Sequence, residues 1–282
     1  MRPVQEAIAA AAAVLTEAGI DAPRVDAELL AAAVLGVPRG RLWTVTGFDD
    51  AAAARFTELV KQRAARRPVQ HLLGTAPFRL GEVAVGPGVF IPRPETELLV
   101  DWGLDRLRGL AAPVVVDLCA GTGAIALSVA REHPGARVHA VEDAPEALVW
   151  LRRNAGGVAA VTVVAGDATD PATLADLDGR VDLVLCNPPY VPAGTPVPPE
   201  VGEHDPDRAV FAGPDGLDVI RRVIPRAVAL LRPGGWFGVE HDDSHAEAVP
   251  ALLRGWGDVT QHPDLAGRPR FATARRLADF TP

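Results

Sequence analysis

Pro113-Val114-Val115-Val116-Asp117-Leu118-Cys119-Ala120-Gly121-Thr122-Gly123 is the stretch on which the fold turns. Val114–Leu118 is a short, nearly continuous apolar run, the pattern of a strand buried on both faces. The glycines behind it open a helix, so the chain reads strand, tight loop, helix. Six more strands fit the same reading: Arg137–Val141, Val161–Ala165, Val181–Cys186, Gly235–His241, Val259–His262 and Arg270–Arg275. With helices between the first five, the alternation predicts an α/β, doubly wound, mostly parallel seven-stranded sheet. The last two strands have only a short connection, which predicts that one runs antiparallel.

Upstream, residues 1–66 read as a small helical domain. Val4, Ile8, Ala11 and Leu15 mark one amphipathic helix with a stop at Gly19; Val25, Leu29, Leu30, Ala33 and Val34 mark a second, ending at Gly36. Asp49 or Asp50 caps a third, which carries Phe56, Leu59 and Val60 and ends in Lys61, Arg63, Arg66 and Arg67. That cationic end is either a solvated helix terminus or a docking patch for an acidic partner. Residues 67–93 read as a hairpin linker, because Phe78, Val83, Val85, Val89, Phe90 and Ile91 alternate with glycines and Pro87. Pro94 starts a helix over Glu95–Leu107, and 94–282 forms the second domain.

The 282 residues suit about two domains. With 48% hydrophobic and 23% charged residues, general disorder is excluded. The net charge of -8 argues against a nucleic-acid surface: residues 1–80 carry 10 Lys and Arg against 8 Asp and Glu, the remainder 18 against 28. Two cysteines make no disulfide framework and fit a reducing compartment. The start lacks the order of a signal peptide, and the Ala-rich run of residues 9–15 is too short to span a bilayer. A soluble, cytoplasmic, monomeric protein is expected. The composition has nearly emptied three residue types, leaving one Tyr (Tyr190), one Met (Met1) and one Lys (Lys61).

On the loop alone, Gly121-Thr122-Gly123-Ala124-Ile125-Ala126 also fits a dinucleotide fingerprint, and a tight turn without ligand is a third reading. Asp117, ending the strand, would repel a pyrophosphate and suit a cation such as the amino group of S-adenosylmethionine. Glu142, about 20 residues on, could accept ribose hydroxyls in either cofactor. Asp167 either receives an adenine amino group, with Ala168 lining the base, or caps a helix before Pro171.

The fourth strand runs into Asn187-Pro188-Pro189-Tyr190. In a doubly wound sheet this strand end and the glycine loop flank the switch point where ligands bind. The Asn187 side-chain carbonyl and the Pro188 backbone carbonyl can orient the N–H bonds of a planar NH2 group, while Tyr190 supplies a flat face. A nitrogen on an sp2 carbon is a weak nucleophile, so orientation and electrostatics carry its methylation. The bland reading is a proline-rich turn.

Together, Asp117–Gly123 and Asn187–Tyr190 resemble S-adenosylmethionine-dependent methyltransferases with a Rossmann-like sheet that act on planar nitrogens. Phe90-Ile91-Pro92-Arg93-Pro94-Glu95-Thr96-Glu97 is similar to the signature of the HemK/PrmC family of peptide chain release factor glutamine methyltransferases. Gln70–Gly74, Asp215–Asp218, Glu240-His241 and Asp264–Arg268 match further.

The resemblance implies that Cys119, Ala120, Gly121, Thr122 and Gly123 surround the methionine part of the cofactor. Glu142 would hold the ribose, Ala168 would lie by the adenine, and Arg93, Pro94 and Thr96 would wall the cofactor. Asn187 would touch both cofactor and substrate. Asn187, Pro188, Pro189 and Tyr190 would grip the glutamine of the Gly-Gly-Gln loop of class 1 release factors, with S-adenosylhomocysteine as the product. Cys119-Ala120 stand where Gly-Thr is more usual, His71 where Tyr is common, and His204-Asp205-Pro206 where Tyr-Glu-Pro is.

Two readings compete: an adenine-N6 DNA methyltransferase, which lacks a basic recognition domain here, and a non-catalytic cofactor-binding module on a release factor. His241–His245 offers too few ligands for zinc, so no metal is expected. Cys119 and Cys186 end neighbouring strands and read as small buried thiols.

Overall fold

A computed structural model describes residues 2–278, which divide into two compact units, residues 2–75 with Val197–His204, and Ala76–Pro196 with residues 205–278. The first unit extends past residue 66 because a short helix follows, and it takes in a later segment of chain that no local pattern announces. No helix among the described residues is long and apolar enough to cross a membrane.

In the first unit, helices α1 (Val4–Glu17), α2 (Pro23–Leu35), α3 (Asp50–Ala64) and α4 (Val69–Leu73) enclose Ile8, Leu15, Leu30, Phe48, Phe56 and Val60. A two-residue bridge joins β1 (Arg2–Pro3) to β2 (Gly47–Phe48). Asp49 Oδ1 accepts the Ala52 N–H at 2.8 Å, the cap expected for the third helix. At the cationic end of α3 Lys61 is exposed, while Arg63 and Arg66 are committed to carboxylates. Buried Arg63 donates to Asp26 at 2.7 Å and to Glu200 at 2.9 Å, and Arg66 reaches the other Glu200 oxygen at 2.6 Å. Glu200 lies on α8 (Pro199–His204), so these arginines bind the late segment into the unit.

The second unit begins with a two-stranded sheet of β3 (Thr75–Phe78) and β4 (Gly81–Ala84). This pair is the only strand structure between 67 and 93; Val89 and Ile91 are buried without joining a strand. Helix α5 covers Thr96–Arg106. The main sheet contains β5 (Val114–Leu118), β6 (Arg137–Glu142), β7 (Val161–Ala165), β8 (Val181–Cys186), β9 (Leu231–Glu240), β10 (Gly257–Pro263) and β11 (Pro269–Arg275), ordered β10-β11-β9-β8-β5-β6-β7. β11 is antiparallel to both neighbours, and the pairs from β9 to β7 are parallel.

All of β5 is buried, and its side chains alternate between two apolar layers. Val115 joins Leu99, Ile125 and Leu148 of α5, α6 (Ala124–Glu132) and α7 (Pro145–Ala155). Val114, Val116 and Leu118 join Ile220 and Val223, then Val249, of α10 (Asp218–Leu230) and α11 (Ala248–Leu252). This is the period-2 alternation of a strand covered on both faces. A short helix, α9 (Asp207–Val210), precedes α10.

One expected helix is missing. Between β7 and β8 there is only a 3-10 turn, Ala175–Leu177. Asp167 and Asp170 instead accept backbone N–H groups two residues on, Thr169 at 2.7 Å and Ala172 at 2.9 Å, and these side-chain turns compete with helix. Asp167 therefore caps no helix.

Gly216 packs beneath the segment after β8. Its φ is +74°, and a Cβ there would lie 2.3 Å from the Tyr190 carbonyl oxygen and 2.9 Å from His245 Cε1. Gly267 has a similar φ, +80°, with nothing within 4 Å. Gly267→Ala is expected to cost only the left-handed strain, about 1 kcal/mol, while Gly216→Ala costs about 3 kcal/mol because the overlap adds to it. Urea unfolding of the two variants measures the difference; equal losses would show that the Tyr190 segment yields freely.

Candidate active site

The parallel pairing of β5 with β8 sets Leu118 opposite Cys186. The next residues of each strand, Cys119 and Asn187, therefore leave the sheet at the same edge, and both loops begin at the carboxyl ends. Cys119 and Cys186 are free thiols, and hydrogen bonding between them helps push the buried Cys186 thiol up, after burial itself.

The loop after β5 curls because Cys119, Gly121 and Gly123 have φ of 63°, 54° and 82°. Three amides of this stretch are already committed, Ala120 to the Val141 carbonyl at 2.9 Å, Gly121 to Glu142 at 2.8 Å and Gly123 to the Ala120 carbonyl at 2.7 Å, and the first amides of α6 follow directly behind them. A Cβ on Gly123 would come within 2.6 Å of Leu151 Cδ1, so the loop packs closely on α7. A Cβ on Gly121 would meet only Val89, at 4.0 Å, and the loop is open on that side. Cys119 takes a left-handed conformation where glycine would be unstrained.

Two acids brace this loop. Asp117 is fully buried. Its Oδ2 accepts the Ala126 N–H at 3.0 Å and Oδ1 has no partner. Burial pushes its carboxyl up to about 8, opposed by the Ala126 amide. The sequence reading aims Asp117 into the loop; one oxygen instead anchors the first turn of α6. Glu142, at the end of β6, accepts the Gly121 N–H at 2.8 Å through Oε2, and the Asp143 and Ala144 N–H groups at 3.0 and 2.8 Å through Oε1. Burial raises its pKa against these three amides. Ala168 is buried in the same layer as Leu118 and Val141, while Asp167 is committed to its own turn with Thr169.

Around Asn187 the structure assembles a chain of polar contacts. Asn187 Nδ2 donates to Thr96 Oγ1 at 3.0 Å. Thr96 donates to Glu240 Oε2 at 2.6 Å, and the Tyr190 hydroxyl donates to Glu240 Oε1 at 2.9 Å. Thr96, which the resemblance puts in the cofactor wall, thus bonds to Asn187. Glu240 ends β9 and is 1% exposed. Burial raises its pKa, opposed by the two hydroxyls and by the charge of Arg270. Burial and the Glu240 charge push the Tyr190 hydroxyl well above its usual range. Arg93 pairs with Asp205 at 2.7 Å and lies over the Phe90 ring at 4.8 Å. Burial pushes Asp205 up to about 6 against that arginine. The Pro94 carbonyl accepts the Glu97 N–H at the start of α5, at 3.1 Å.

Glu240 is the site residue that sequence reasoning missed. It figured only as part of a motif match, although a carboxylate at the end of a strand next to β8 is itself a signal. His241 and His245 serve as hydrogen-bond partners, His241 with the Asp242 carbonyl and Gln261, His245 with the Asp215 carbonyl.

Comparison with known proteins gives the family. A family model of the PrmC N-terminal domain matches residues 6–74, and one of the methyltransferase small domain matches 94–199. The release factor glutamine methyltransferase of Mycolicibacterium smegmatis is 53% identical over 281 residues, 99% of each chain. A 4-amino-L-phenylalanine/4-methylamino-L-phenylalanine methyltransferase of Streptomyces pristinaespiralis is 43% identical over 260 residues, 88% of this chain and 87% of that one. Among solved structures, the T. thermophilus 16S rRNA N2 G1207 methyltransferase with AdoMet and guanosine matches at a TM-score of 0.53 and 26% identity, covering 72% of this chain and 49% of that one. With its doubly wound sheet, its paired loops at the β5 and β8 ends and these relatives, the chain belongs to the release factor glutamine methyltransferase family, as a methyltransferase dependent on S-adenosylmethionine.

Proposed function

We propose that this enzyme methylates the side-chain nitrogen (N5) of the glutamine in the Gly-Gly-Gln motif of bacterial class 1 release factors. The observation that carries the reading is the register of β5 against β8, which sets a cofactor-type glycine loop beside Asn187-Pro188-Pro189-Tyr190.

The residues around that loop fit S-adenosylmethionine. Asp117 Oδ1 is a buried oxygen without a partner, the loop is open beside Gly121, and Glu142 is an acid at the end of the next strand. Asp117 would hold the amino group, Glu142 the ribose hydroxyls, and Cys119, Ala120, Gly121, Thr122 and Gly123 the methionine part. Asp167, Ala168, Arg93, Pro94 and Thr96 would complete the wall. The cofactor supplies a methyl group on a sulfonium, ready for in-line displacement.

Everything else falls to the chain. The amide nitrogen of the acceptor has a delocalised lone pair, so its N–H bonds must be held and its developing positive charge stabilised. Asn187 Oδ1 and the Pro188 carbonyl supply two acceptors, the latter fixed by consecutive proline rings. Tyr190, tethered through its hydroxyl to Glu240, presents a flat face to the planar group. No strong base is needed, because the proton leaves a nitrogen made acidic by alkylation. The helical domain of residues 1–66 would help dock the release factor, and the enzyme would act as a monomer.

Release factor incubated with enzyme and cofactor is expected to gain one methylene's mass on the Gly-Gly-Gln peptide, read by mass spectrometry. An unmodified peptide beside methylated 4-aminophenylalanine would give the substrate role to an aryl amine. Asn187→Ala is expected to keep cofactor affinity within about tenfold while abolishing turnover. At pH 7 Asp117, at about 8, largely keeps its proton. An ammonium against it favours the ionised form, so cofactor binding should release a proton. Calorimetry in buffers of different ionisation enthalpy detects this release, and Asp117→Asn should remove it; equal release in both proteins would separate Asp117 from the amino group.

A further inference from the structure

We propose that Glu240 is a positioning residue that decides which end of the Asn187 side-chain amide faces the acceptor nitrogen. The proposal rests on the function above, in which that nitrogen is an NH2 group needing acceptors.

The donors and acceptors around Glu240 fix the orientation. An ionised carboxylate has no proton to give, so both hydroxyls that touch Glu240, from Thr96 at 2.6 Å and Tyr190 at 2.9 Å, must donate to it. Thr96 has a single hydroxyl proton, and this bond uses it. Toward Asn187, 3.0 Å away, Thr96 can then only accept. The NH2 end of Asn187 must therefore point at Thr96, which leaves Oδ1 at the opposite end. The two ends of an asparagine amide have nearly the same shape, so packing does not choose between them; the charge two bonds away does. Turned over, Asn187 would offer N–H to N–H and repel the group it should hold.

Three features favour the acceptor-only form this relay needs. Two charge-assisted hydrogen bonds favour the carboxylate, as does the Arg270 guanidinium, which also interacts with Tyr190 and bonds to Asp264 at 3.3 Å. Burial and the Glu95 carboxylate oppose them. The buried Cys186 thiol also feels the Glu240 charge, and burial pushes that thiol well up.

Glu240→Gln keeps shape and burial but replaces one acceptor with a donor. If that NH2 faces Thr96, the threonine proton is released toward Asn187 Oδ1 and the amide turns over. The chain has only two asparagines, Asn154 and Asn187, so [15N]asparagine labelling gives two side-chain amide signals, assigned by loss of one in Asn187→Ala. Asn154 is a reference, fixed by bonds to the Ala84 and Thr122 carbonyls at 3.0 Å.

In Glu240→Gln the Asn187 amide signal of the full chain is expected to move while that of Asn154 stays. Methylation kcat on release factor should fall about tenfold, with cofactor Kd within about twofold. Thr96→Val, which cuts the relay at its middle, should lose a similar factor, and the double variant no more than either single one. An Asn187 signal unmoved in both Glu240→Gln and Thr96→Val, a kcat within about twofold of the parent in both, or losses that multiply in the double variant would each overturn the relay. A parent enzyme that leaves release factor unmethylated would overturn the substrate assignment instead; the amide signals need no substrate and still decide the relay.

Discussion

The parallel pairing of β5 with β8 is the constraint on which the site depends. Both strands are buried, and their side chains feed two apolar layers, one under α5, α6 and α7 and the other under α10 and α11. Slipping the pair by one residue would drive every side chain into the opposite layer, so burial holds the register firmly. The register then sets Cys119 and Asn187 at one edge of the sheet, where two loops that are 68 residues apart along the chain open side by side. The strand order reverses direction around β5, and doubly wound sheets leave a crevice at such a point.

The carboxyl ends of β5, β6 and β9 carry Asp117, Glu142 and Glu240, and burial raises the pKa of each. Each acid is held by donors from the protein: an amide at the start of α6, one amide of the glycine loop with two ahead of α7, and two hydroxyls beside Asn187. A carboxylate so placed fixes the groups around it before any ligand arrives, which is the form of preorganisation that a reaction relying on orientation needs. The strain of a left-handed Cys119 is sustained by the same bracing, since Glu142 holds the Gly121 amide two residues on.

The first unit shows the same logic in another setting. Arg63 is nearly as buried as the apolar residues near it, with carboxylates from α2 and α8 on its guanidinium. Removing Arg63 would leave the buried Asp26 carboxylate without this partner, a larger loss than breaking an exposed pair would cause. Its fork geometry lets one arginine reach two carboxylates at once.

What the sequence determined by itself was what repeats locally. Short continuous apolar runs placed β5, β7 and β8 to the residue, apolar spacing near 3.6 placed α1, α2 and α3, and Asp49-Asp50 announced the cap that Asp49 supplies. The loop of residues 119–123 and the tetrad of 187–190 could be read because each is a short run of unusual residue types at a strand end. The tertiary structure alone decided how polar groups pair over long separations. Thr96 finds Glu240 across 144 residues, and Arg63 finds Glu200 across 137. No periodicity encodes such a choice, because a carboxylate accepts from any donor that the sheet order brings within about 3 Å. The helix expected between β7 and β8 failed for a related reason: Asp167 and Asp170 found nearby backbone amides, and a local turn outcompeted the longer-range pattern.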